Sequence, residues 1–310
     1  MNLFATVLTY TAPSANYRGE SAENRAVIQK ITKGRFEYAI ISPEAMRNAI
    51  RENLRRLGLS CNRERLDDEE QLAVKFQDYP NADKYADDFF MGWLVAASGK
   101  DRDNIKKELK EKGRDSERFR FKRDSVLRMN MAVALEPYRH DSVFTQSPQD
   151  KTPKHLKIHV NVENAQLLHR ETTVSAFQYP LALNLEDCRS HPDWTRSLLQ
   201  AIGELNEVAG NHARSYFEMA PASIVARLTE QLVAGYDTYG FKIEEDGSHR
   251  LPEIVDGILK NDYPGAEFFL GGKLVKDMAD NDIAALQTTG VTLDRNPQRL
   301  IATVAERALG

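Results

Sequence analysis

Phe36-Glu37-Tyr38-Ala39-Ile40-Ile41-Ser42-Pro43-Glu44-Ala45 joins a strand to a helix within one short stretch. Phe36 to Ile41 alternates as a half-buried strand does. Ser42 can then accept bonds from free amides, Pro43 suits the first helical position, and Glu44 suits the positive end of the helix dipole. The helix is expected to run to about Leu57, where Gly58 stops it. Upstream, residues 2–12 read as a first strand, followed by a polar loop from Pro13 to Glu20. Downstream, residues 60–117 are polar and helical in pattern, which predicts an inserted helical subdomain. Val126 to Leu135 returns to strand character, Arg139 to His155 reads as a loop or protrusion, and Leu156 to Val162 alternates strictly. Val174 to Leu185 is a further strand region and Asp193 to Val208 a helix. Shorter strands are expected at Ile224–Leu228 and Tyr239–Ile243, with helices dominating after Leu251. This order belongs to an α+β sheet domain carrying insertions.

The chain has 310 residues, 41% hydrophobic and 28% charged, values of a packed globular protein. Its net charge is −4, so affinity for a polyanion has to come from local patches. Residues 1–60 and 101–130 each carry +4, whereas residues 201–310 carry −7. Within the second basic region, Arg118-Phe119-Arg120-Phe121-Lys122-Arg123 alternates base and aromatic with no acid before Asp124. In a strand, Arg118, Arg120 and Lys122 would share a face along which a polyanion could lie. The only cysteines, Cys61 and Cys188, stand far apart in sequence and form no metal-ligand spacing, which suits a reduced cytoplasmic protein. No basic leader precedes an apolar stretch at Met1, and no apolar run reaches the roughly 18 residues of a membrane span.

Motifs for catalysis are weak. Gly265 to Leu274 misses the spacing and the hydroxyl of a phosphate-binding loop. His155 and His159 would pair as metal ligands on a helix, but their surroundings alternate as a strand, which holds them about 13 Å apart. His140 and Asp141, in the protrusion, could act on a phosphodiester as acid and base.

Three segments together resemble one family: Ser14-Ala15-Asn16-Tyr17-Arg18-Gly19-Glu20, Ile41-Ser42-Pro43-Glu44-Ala45-Met46-Arg47-Asn48-Ala49-Ile50-Arg51, and Asn211-His212-Ala213-Arg214-Ser215-Tyr216-Phe217. Supporting stretches are Arg123 to Arg128 and His169 to Pro180. The chain is similar to the CRISPR-associated backbone subunit of type I Cascade, in the DevR-like branch of the RAMP superfamily. The likeness covers most of residues 1–230, and the C-terminal eighty residues have no matching motif.

That resemblance implies an RRM-like (ferredoxin-like) palm, a helical fingers insertion and a hairpin thumb. The palm would comprise residues 1–57, 118–138 and 174–310, the last including the C-terminal helices, with fingers at 58–117 and the thumb at 139–173. It implies a non-catalytic protein, without cofactor or metal, that binds guide RNA (crRNA) as a head-to-tail filament of its own copies. Other Cascade subunits would be its neighbours, and target DNA would be met through base pairing. RNA contacts are expected at Asn16, Arg18, Lys30, Lys33, Ser42, Arg47, Arg51, Arg123, Arg128, Arg170, His212 and Arg214. Arg47 and Arg51, four apart, share a helix face. Pro43 and Glu44 depart from the family's small polar residues, and Glu44 would repel phosphate at the first turn. The sheet also lacks the aromatic signature with which ordinary RRMs stack bases, which suits a protein that grips backbone alone. Two alternatives stand beside this reading: an RNA endonuclease of the same superfamily using His140 with Asp141, or His169, and an unrelated α+β metabolic enzyme.

Overall fold

The computed structural model describes residues 1–14, 25–67, 72–146, 167–208 and 217–310. In chain order the first half holds β1 (Asn2–Leu8), β2 (Ala12–Ser14), β3 (Arg25–Ala26), β4 (Lys30–Lys33), β5 (Phe36–Ile41), α1 (Pro43–Arg56), β6 (Arg63–Asp67), β7 (Leu72–Phe76), α2 (Ala86–Met91), β8 (Trp93–Leu94), α3 (Gly99–Glu111), β9 (Lys122–Arg123), β10 (Leu127–Met129), β11 (Ala132–Ala134) and β12 (Asp141–Gln146). The second holds β13 (Leu167–Ser175), β14 (Phe177–Asn184), α4 (Leu185–Cys188), α5 (Pro192–Gly203), β15 (Ser223–Thr229), β16 (Lys242–Ile243), β17 (His249–Arg250), α6 (Pro252–Leu259), β18 (Phe268–Gly272), α7 (Lys273–Lys276), α8 (Asp280–Thr288), β19 (Thr292–Asp294) and α9 (Pro297–Leu309).

The fold is α+β. A nine-stranded sheet runs β19-β18-β15-β1-β14-β11-β5-β4, with β10 pairing β14 beside β11. Every pairing in it is antiparallel except β18 with β19. β1 is central, with Leu3 opposite Leu183 on one side and Leu228 on the other. All seven residues of β15 are buried, because both faces of the sheet are covered there. Ile224, Ala226 and Leu228 enter a core beneath α1, α5 and α9, while Val225 enters a second core with Ile254, Ile258, Leu274 and Leu286 of the C-terminal helices. Of the eighty residues without a family motif, α6, α7 and α8 thus close the second face of the sheet, β18 and β19 extend it, and α9 packs on the first. Beyond Thr9, whose hydroxyl accepts from the Phe177 amide, the β1 and β14 strands lead into a smaller ribbon, β12-β13-β2, with β3 parallel to β13.

Several expectations are corrected. Residues 60–117 are not uniformly helical, since β6 and β7 form a hairpin ahead of the short α2. Arg118 to Phe121 is not a strand, and only Lys122–Arg123 pairs, with Trp93–Leu94. The Asp115 carboxylate accepts the Glu117 and Arg118 amides and turns the chain there. Phe119 is buried against Tyr79 and Phe121, with Arg114 over its ring, so the aromatic residues serve packing. The region from Tyr239 to Ile243 forms only the two-residue β16. Phe268 to Gly272, read in the sequence only as a failed phosphate loop, is a fully buried strand. The strand expected at Leu156 to Val162, with His155 and His159, lies outside the described residues.

The second core contains a titratable group. His249 Nδ1 lies 2.8 Å from Ser223 Oγ, and burial, reinforced by Lys273 and opposed by Asp277, lowers the imidazole pKa to about 4. The unfolded chain takes up this proton near pH 6.5, the folded chain only near 4. Stability is therefore full above pH 6.5 and falls as pH drops toward 4, by at most about 1.4 kcal/mol per pH unit for one proton. Calorimetry of His249→Gln from pH 7 to 4 is expected to lose that part of the pH dependence; an unchanged profile would assign the loss to other groups.

Candidate nucleic-acid interface

Ser42 caps α1, its hydroxyl accepting from the Ala45 amide at 3.2 Å, so its first role is to start the helix. One turn on, Arg47 donates from Nη2 to the Leu127 carbonyl at 3.3 Å, while its Nε is enclosed without a partner among the described residues. The rest of the half-buried guanidinium lines the cleft described below, where it can meet an acceptor from another molecule.

Arg51 is used differently. It is only 5% exposed, and donates through Nε to Asp87 at 3.0 Å, through Nη1 to Asn48 at 2.6 Å and through Nη2 toward Met91 Sδ. Asp87 also accepts the amides of Asn62 and Arg63. Desolvation lowers the Arg51 pKa and the Asp87 charge opposes it. Arg51, expected to hold RNA, is here engaged in joining α1 to α2 and the β6 hairpin.

Arg123, brought alongside by β9, donates to the carbonyls of Asp88 and Phe89 and stacks over the rings of Phe89 and Trp93. The close approach of β9 depends on Gly92, at φ 64°, where a Cβ would stand 2.3 Å from the Arg123 carbonyl oxygen. Gly92→Ala is expected to displace β9 and cost about 1–3 kcal/mol in a denaturation experiment, and a neutral result would show that β9 has room to move. Together Arg47, Arg51, Arg63, Arg123, Trp93 and Ser125 line a cleft of about 340 Å³, whose acidic members are Glu44 and Asp124. Asp124 pairs with Lys122 at 3.5 Å. Arg63, which lies over the Phe76 ring, was not foreseen from sequence, and its charge pattern gave no signal.

Arg128 is exposed on β10, next to the Leu127 that Arg47 contacts. Lys30 belongs to another site: it pairs with Glu37 and Glu171 and lies 4.2 Å over the Tyr138 ring, on the far strand β4, where Lys33 is exposed. Arg170 sits in β13 opposite Val143, with its side chain outside the described residues. Asn16, Arg18, His212 and Arg214 also lie outside them.

Chemistry at other polar groups is constrained. His140 and Asp141 are exposed where β12 begins, and the side chain of His169 is outside the described residues. Ser223, His249 and Asp277 have the residue types of a hydrolytic triad but the wrong geometry. Asp277 accepts from the His249 backbone amide, and Ser223 Oγ accepts from the Leu274 amide. Burial pushes the Cys61 thiol up to about 12 and Cys188 to about 11, leaving both protonated and unreactive at neutral pH. Among the described residues, no three His, Cys, Asp or Glu side chains converge as a metal site.

No family model matches the chain. It is 29% identical over 285 residues, 90% of its length and 88% of the relative's, to the CRISPR-associated protein Cas7/Cst2/DevR of Myxococcus xanthus (strain DK1622). Its fold superposes on a chain of a CRISPR RNA-guided surveillance complex with a TM-score of 0.56, at 12% identity, covering 99% of this chain and all of the other. A chain of a second such complex, in a pre-nicking state, matches with a TM-score of 0.54 at 12% identity, with the same coverage. The chain is thus similar in sequence to that Cas7/Cst2/DevR protein along 90% of its length, and similar in fold to those two chains along 99% of it.

Proposed function

We propose that the chain is a non-catalytic backbone subunit of a type I CRISPR effector complex, Cascade, gripping the guide-RNA backbone and leaving the bases free to pair with target DNA. Several copies would follow one another along the RNA beside other Cascade subunits. The observation that carries the reading is the cleft at α1, on which Arg47, Arg63 and Arg123 converge from separate elements. Such a cleft takes phosphate irrespective of sequence, as a subunit accepting any spacer requires.

The strand order supports the palm. β15-β1-β14-β11, with α1 after β1 and α5 before β15, follows the βαββαβ ferredoxin-like pattern. Residues 58–117 would be the fingers and the β12–β13 ribbon the thumb. The covered second face of the sheet fits a protein that does not stack bases there.

Arg47→Ala with Arg128→Ala is expected to weaken guide binding roughly tenfold or more, equally for unrelated guide sequences. The log–log salt slope should fall by about 1.4, at about 0.7 per contact to a single strand. Anisotropy titrations over a salt series measure both. An unchanged slope with an unchanged melting temperature would make these arginines ordinary surface charge.

A further inference from the structure

We infer that a second nucleotide-binding site lies at the far end of β1, where Tyr10, Lys276, Arg295 and Arg299 surround a cleft that takes one phosphodiester and its adjoining base. The cleft has a volume of about 390 Å³, is completed by Pro221 and Gln298, and among the described residues has no acidic side chain in its lining. This stands out in a region, residues 201–310, whose net charge is −7.

The cations divide by function. Arg299 is held by Asp294 through two bonds of 2.5 and 2.7 Å, which fixes one wall and neutralises that carboxylate. Lys276 and Arg295 are exposed and have no ion pair among the described residues, so both charges are free to meet an anion. Tyr10, 55% exposed, keeps its ring at the mouth, backed at 6.4 Å by the His249 ring. Two free cations beside an exposed aromatic ring match a phosphate next to a stackable base, and stacking of this kind tolerates any sequence.

The site is distinct from the α1 cleft. Leu127, which Arg47 contacts, pairs with Leu183, and Leu183 with Leu3, so that cleft lies at the start of β1. Tyr10 follows its other end, roughly 20 Å away along a strand. One nucleotide cannot reach both. The occupant is a single strand, either a further stretch of the guide RNA or a second strand. This inference rests on the proposed nucleic-acid role for the class of ligand, and on the cleft for its place.

The test uses the full chain, alone with labelled guide RNA and, once loaded with unlabelled guide, with a labelled twelve-nucleotide oligo-dT. Lys276→Ala with Arg295→Ala is expected to weaken one of the two titrations at least tenfold and to lower its salt slope by about 1.4. Tyr10→Ala should weaken the same titration severalfold with the salt slope unchanged. An effect on the guide titration assigns the site to the guide, and an effect on oligo-dT alone assigns it to a second strand. If both titrations ignore these variants while Arg47→Ala still weakens the guide, the site is overturned and the α1 reading survives. If the wild-type chain binds neither strand, both fall. Unchanged melting temperatures of the variants, expected for exposed unpaired side chains, exclude misfolding.

Discussion

Asp87→Ala is expected to lower stability by about 3–5 kcal/mol, because it leaves the buried Arg51 guanidinium uncompensated and frees the amides of Asn62 and Arg63. For a chain of this size that corresponds to roughly 5–8 °C in melting temperature. Asp87→Asn keeps an acceptor for only one of the two amides, which bond different carboxylate oxygens, and should cost somewhat less; adding Arg51→Met should recover part of the remainder by removing the stranded charge. The pair also separates structure from recognition at α1. Arg51→Met, once folded, should bind guide RNA nearly as the parent does, whereas Arg47→Ala should fold normally and bind poorly. A well-folded Arg51→Met protein that cannot hold RNA would overturn the division of labour between these two arginines.

The other large effect is expected at Glu267. Arg227, only 2% exposed within β15, donates through Nε to Glu267 at 2.7 Å and through Nη1 to the Ala234 carbonyl at 2.7 Å, beneath the Phe268 ring. The chain beyond β15 is fitted to that side chain: at Gly235, φ 73°, a Cβ would stand 2.5 Å from Arg227 Nη1. Glu267→Ala is expected to cost about 3 kcal/mol by stranding a charge between two sheet strands. Arg227→Met in the same background should restore part of it. Urea denaturation measures both, and a Glu267→Ala value within 0.5 kcal/mol of the parent would mean that solvent reaches Arg227 without difficulty.

What could be read from the sequence was local. The Ser42 cap, Pro43 and Gly58 delimit α1 because each acts through its own backbone geometry, and the alternation of Phe36 to Ile41 needs only a half-buried strand. Phe268 to Gly272 escaped because a short apolar run ending in two glycines carries no period, and its strand character comes from burial between β15 and β19. At the candidate site, the shared helix face of Arg47 and Arg51 was legible, but their opposite fates were not. Asp87 lies 36 residues beyond Arg51, and nothing between them announces that the two will meet in the interior. Arg118 and Arg120 failed in the converse way, since a turn set by Asp115 replaced the strand on which their alternation depended.

The position of β1 in the sheet has a consequence for how the chain is made. β1 is synthesised well before either of its partners: Asn2 to Leu8 pairs with Phe177–Asn184 and with Ser223–Thr229. At roughly 5–20 residues per second, Leu3, Ala5 and Val7 wait on the order of ten seconds or longer for either neighbour. Throughout that interval an apolar strand has both hydrogen-bonding edges open, the condition under which nascent chains pair with one another. Long-range pairing of this kind also slows folding after release, because loop closure precedes any reward from contact. Yield in a host cell should therefore respond to chaperone supply and growth temperature more than to the stability of the finished fold.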